Sequence, residues 1–140
     1  MSSVASIQLS SGPNVQANLL EVSKYLEEIS KTQSKLVVLP ENFALMPEND
    51  LSFLDNAEVI GSGPIQEFIS ENAKKYKIWI IAGTIPIKTN VSKKVTSTTL
   101  VYNEAGEVVS RYDKIHLFDV ELPNSNAVSY THLRAHETHE

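Results

Sequence analysis

Residues 35–43 read KLVVLPENF. Leu36, Val37, Val38 and Leu39 run without a polar break, stop at Pro40, and are followed at once by the carboxylate of Glu41. A short continuous apolar run of this kind is expected to be a strand covered on both faces, as in a parallel sheet. Parallel strands need a helical crossover, and the flanking sequence supplies one on each side. Upstream, Val15, Leu19, Val22, Leu26 and Ile29 recur at spacings of four, three, four and three, one helical stripe, with Asn14 placed to cap it. Downstream, Ile65, Phe68, Ile69, Ala73 and Tyr76 form a second stripe. Pro64 suits the first helical position, and Lys74, Lys75 and Lys77 lie where the helix dipole favours cations.

Three further segments complete the pattern. Residues 3–9 alternate enough to predict a strand, and IWIIAGTIPI, from Ile78 to Ile87, predicts another buried one. The stretch from Val95 to Phe118 predicts two strands joined by a turn at Asn103-Glu104-Ala105-Gly106. Residues 42–63 are polar and irregular, long for a connection within a compact domain, which suggests a functional loop. The order β-α-β-loop-α-β-β-β argues an α/β sandwich rather than a strict doubly wound alternation. No internal repeat, Gly-rich phosphate loop or Walker pattern is present.

Composition narrows the function. The chain has 140 residues, 41% hydrophobic and 21% charged, with a formal net charge of -5, enough for one domain with a core. Its lysines and arginines form no long basic run, so neither a nucleic acid nor an anionic membrane is expected as a partner. No apolar run approaches the roughly 20 residues that cross a bilayer, and the first residues lack the charged and apolar regions of a signal peptide. A cytoplasmic location is the expectation. There is no cysteine, which excludes disulfides, thiolate metal sites and a cysteine nucleophile within these 140 residues.

Two residues could carry chemistry. Glu41 sits at the carboxyl end of a strand, the edge of an open α/β sheet where ligands bind. Apolar neighbours would desolvate it partly, as suits a general base. Otherwise it is a loop glutamate solvating a strand end. Lys114, in YDKIHLFDV, follows the second strand of the hairpin. Turned inward it would need an anion or a developing negative charge, the role of an oxyanion-stabilising cation. Otherwise it is a surface lysine paired with Asp113 or Asp119.

VVLPENF, GTIPI and YDKIHLFDVELP occur in this order. Together they resemble the nitrilase superfamily of carbon–nitrogen hydrolases over residues 4–124. The nearest branch holds small amidases acting on deaminated glutathione or on ω-amides of 2-oxo acids. The resemblance implies a four-layer αββα sandwich, of which this chain would be the N-terminal part, truncated. It also implies a homo-oligomeric parent, a small-molecule amide substrate and no cofactor. Glu41 takes the place of the family's general base and Lys114 that of its oxyanion-stabilising lysine. His116 falls in the same motif as a structural residue, and Phe43 is the expected substrate contact.

The family's nucleophilic cysteine and a further supporting glutamate should follow Lys114. Glu121 lies too close to the lysine to be that glutamate. Glu137 and Glu140 fall in VSYTHLRAHETHE, residues 128–140, which resembles an in-frame translation of a sequencing-library adapter. Residues 1–126 are therefore read as the family domain and 127–140 as a non-native tail. Against that tail stands a metal reading: His132 and His136 have i,i+4 spacing and His139 follows. Against the amidase stands a non-catalytic α/β binding module that keeps a pocket without the thiol.

Overall fold

The computed structural model describes residues 2–115. His116, Asp119, Glu121, the histidines at 132, 136 and 139, and the tail from 127 onward lie outside the described residues. The elements run β1 (Ser3–Ser6), α1 (Val15–Ser30), β2 (Ser34–Leu39), α2 (Asp50–Asn56), α3 (Pro64–Tyr76), β3 (Trp79–Lys88), β4 (Val95–Tyr102) and β5 (Val108–Asp113).

The five strands form one sheet in chain order, β1-β2-β3-β4-β5. The first three are parallel, and β4 and β5 are added antiparallel. Successive parallel strands added in one direction by right-handed crossovers carry their helices on a single face. Accordingly α1 and α3 pack together. Beneath them Val22, Leu26, Val37, Ile69, Ile80, Ala82 and Leu100 are fully buried. Asn14 caps α1 by accepting from the Ala17 amide at 2.9 Å, and Pro64 opens α3. Asn103 closes the β4–β5 turn by accepting from the Ala105 and Glu107 amides. Among the described residues no helix is long and apolar enough to cross a membrane.

Three expectations need correction. The first strand stops at Ser6 rather than residue 9, because the chain makes one more bond, from the Ile7 amide to the Val38 carbonyl, and then turns away. Residues 42–63 are not wholly irregular. Helix α2 forms within them, capped by Asn49 on the Ser52 amide, and buries none of its residues, so it shows no apolar stripe. Finally, β2 is covered completely on one face only: Val37 and Leu39 are buried, whereas Leu36 and Val38 are half-buried.

The second face of the sheet is the less covered one. Register places Val4, Leu36 and Trp79 side by side on it, then Ser6, Val38, Ile81, Val101 and Ser110, and beyond them Gly83, Thr99 and Tyr112. Val4 is 62% exposed, Trp79 40% and Tyr112 53%. β1 also presents a free strand edge among the described residues. Such a face and edge promote association. The 140-residue chain is therefore expected to scatter light increasingly with concentration during a thermal melt, and Trp79→Lys to shift that onset upward. A melt free of scattering at all concentrations would instead fit a self-sufficient binding module.

Candidate active site

Glu41 and Lys114 start far apart in the sheet. Their strands, β2 and β5, are separated by β3 and β4, three intervals of about 4.8 Å, or roughly 14 Å. Both residues follow strands whose carboxyl ends lie on the same edge, because β5, antiparallel to β4, runs parallel to β3 and β2. Pro40 takes the chain out of β2, and two long side chains close the gap. The Lys114 ammonium donates to Glu41 Oε1 at 2.5 Å, across 73 residues of sequence.

Lys114 is held at its own backbone, and Glu41 by way of the residue that follows it. The Lys114 amide donates to the Ser97 carbonyl at 2.9 Å, extending the β4–β5 ladder past the end of β5. Asp113 is not the partner of Lys114: its Oδ1 accepts from Thr98 Oγ1 at 2.7 Å and from Arg111 Nε at 3.0 Å. On the other side, Asn42 adopts a left-handed backbone, φ 55°, a conformation asparagine tolerates better than most residues. Its carbonyl accepts from the Leu45 amide.

The surroundings differ from the desolvated pocket expected for a base. The Glu41 side chain is 55% exposed and that of Lys114 32%. An ion pair this open contributes at most about 1 kcal/mol to stability. Stability therefore gives a weak account of why residues so distant in sequence should meet, and a chemical role gives a better one.

Phe43 is corrected. It is fully buried and packs in the hydrophobic core, so its side chain presents no surface to a ligand, and its backbone carbonyl accepts from Ser11 Oγ. Two polar residues unnoticed in the sequence organise this region. Asn18, on the buried side of α1, donates to the Gly12 and Ala44 carbonyls and accepts from the Gly12 amide. Its position, three after Val15 and four before Val22, was the available signal: an amide inside an apolar stripe. Thr84, at a β3 irregularity, bonds to Asn42 and left no such trace.

Residues 3–138 match the family described as carbon-nitrogen hydrolase. The chain belongs to that family. Among its relatives, the deaminated glutathione amidase of Yersinia enterocolitica is 37% identical over 120 residues, covering 85% of this chain and 41% of that protein. The omega-amidase NIT3 of Saccharomyces cerevisiae is 40% identical over 128 residues, covering 86% of this chain and 43% of the relative. The crystal structure of Saccharomyces cerevisiae Nit3, a member of branch 10 of the nitrilase superfamily, superposes with a TM-score of 0.68 at 33% identity, over 79% of this chain and 42% of that one. This carbon–nitrogen hydrolase chain thus spans less than half the length of the relatives it matches, and its α/β fold is the corresponding part of a nitrilase-type sandwich.

Proposed function

We propose that this chain carries half of an amidase site, and that its parent hydrolyses a small linear amide to a carboxylic acid and ammonia or an amine. The observation that carries the reading is the direct contact of Glu41 with Lys114 at the carboxyl edge of the sheet. Glu41 is the general base and Lys114 the cation for the oxyanion.

The nucleophile in this scheme is a cysteine of the parent, for the 140 residues contain none. Glu41 takes the thiol proton as sulfur attacks the amide carbon. The carbonyl oxygen becomes an oxyanion beside the Lys114 ammonium, which stabilises it electrostatically. The proton passes to the departing nitrogen, the C–N bond breaks, and a thioester remains. Water, deprotonated by Glu41, attacks the thioester, and the acid and thiol are released. No step needs a metal or cofactor. The amidase names of the relatives support a small ω-amide as substrate class, and a homo-oligomeric, cytoplasmic parent without nucleic-acid or membrane partners accompanies the proposal.

The test is ammonia release from a small ω-amide. The 140-residue chain is expected to show no turnover, and a longer polypeptide from the same locus, carrying a cysteine downstream of Asn126, is expected to show it. Turnover by the 140-residue chain alone would refute these roles.

A further inference from the structure

We propose that Thr84 is the positioning residue of the site: its hydroxyl clamps the peptide that follows Glu41 and so sets where the carboxylate meets Lys114. The proposal rests on the reading of Glu41 as the base. The clamp begins with an extra residue in β3. Gly83 is opposite Thr99 and Ile85 is opposite Thr98, so Thr84 has no counterpart in β4. A bulge of this kind unpairs one residue and re-aims its side chain.

Thr84 is aimed at the chain leaving β2. It is buried, and its Oγ1 accepts from the Asn42 amide at 3.1 Å and donates to Asn42 Oδ1 at 3.3 Å. With the Leu45 amide on the Asn42 carbonyl at 3.2 Å, Asn42 is held at its amide, side chain and carbonyl. Close packing limits other arrangements: a Cβ built on Gly83 would lie 3.0 Å from the Leu39 carbonyl oxygen. The β2 exit and the β3 bulge therefore form one unit, with Glu41 one peptide from its fixed point. Glu41 itself is half exposed, so packing does not hold it. The hydroxyl of Thr84 does so through Asn42.

The experiment compares Thr84→Val, which keeps shape and loses the hydroxyl, with Thr84→Ser, which keeps it. Amide exchange at Asn42 and ammonium-proton exchange at Lys114 are read by NMR in the 140-residue chain, below its association threshold. Thr84→Val is expected to speed Asn42 exchange roughly tenfold, the worth of one net hydrogen bond. It should also bring Lys114 to the exchange rate of Lys24, while the amides of Ile80 to Ala82 and Leu100 to Tyr102 keep theirs. Thr84→Ser should restore both. The proposal is overturned if Lys114 exchange is unchanged in Thr84→Val, if serine fails to restore it, or if the β3 and β4 amides accelerate in step. These readouts do not involve turnover, so failure of the amidase assignment and failure of the clamp are separate outcomes.

Discussion

Gly63→Ala is expected to lower the unfolding free energy by about 3 kcal/mol or more, well beyond any other glycine-to-alanine change among Gly12, Gly61 and Gly63. Two causes combine. Gly63 has φ 135° and ψ 160°, a region open essentially only to glycine and costing other residues on the order of 1–3 kcal/mol. A Cβ there would also lie 2.4 Å from the Glu58 carboxyl carbon. That carboxylate is buried, and accepts from the Ile65 amide at 2.6 Å and from the Gln66 amide and Nε2 at 3.1 Å. It therefore does for the start of α3 what a cap side chain does elsewhere, because Gly63 has none to offer. Displacing it leaves a buried charge with fewer partners.

The other two glycines separate the causes. Gly61 has φ 85° and open space around a built Cβ, so Gly61→Ala should cost only the left-handed penalty, about 1 kcal/mol. Gly12 has open space and no such φ, and Gly12→Ala should fall within about 0.5 kcal/mol of the wild type. Urea unfolding followed through Trp79 fluorescence ranks the three. In a Glu58→Ala background the excess cost at Gly63 should shrink to the backbone part, the coupling a double-mutant cycle reports. Equal costs at Gly61 and Gly63 would mean that Glu58 swings aside freely and caps nothing.

Much of the fold was legible because its elements bury apolar faces. The stripe from Val15 to Ile29 and the one from Ile65 to Tyr76 became α1 and α3, and the hairpin turned where Asn103 and Gly106 stand. Helix α2 was illegible for the same physical reason, since an element that buries nothing leaves no period. The uninterrupted run from Leu36 to Leu39 overstated the burial of β2. The run is equally apolar on both sides, and only the tertiary structure shows that α1 and α3 lie over one face. Glu41 and Lys114 stood out by position, each at the end of a strand, but neither signal was specific alone, and only the motifs that hold them suggested their roles. Thr84 was hidden because a one-residue bulge leaves the composition of a strand unchanged while altering the direction of its side chains. Glu58 was hidden because a buried carboxylate in a polar stretch has the same letter as an exposed one.

Tyr102 supplies the second large effect, and it runs against the usual direction of a core substitution. The ring is 2% exposed, and its hydroxyl has no hydrogen-bond partner among the described residues. A buried hydroxyl left unpaired costs roughly 1–3 kcal/mol, so Tyr102→Phe is expected to stabilise the chain at neutral pH by about 1 kcal/mol. Alkaline pH should widen the difference. Burial, and secondarily the nearby Glu58 carboxylate, push the Tyr102 phenol up from 10.0 to about 12. Below pH 10 the phenol is protonated in both folded and unfolded chains, so its ionisation costs nothing. Between pH 10 and about 12 the unfolded chain releases the proton and the folded chain retains it. Stability then falls as pH rises, by about 3 kcal/mol across the window. Tyr102→Phe lacks that ionisation. The gap between wild type and variant, measured by urea unfolding at each pH, should be constant below pH 10 and grow by about 3 kcal/mol toward pH 12. Adding Glu58→Gln to the wild type should remove part of that growth, since the carboxylate is the lesser of the two causes. A gap that stays flat would mean the phenol ionises as easily inside the fold as outside it, which a dry ring beside a buried carboxylate does not permit.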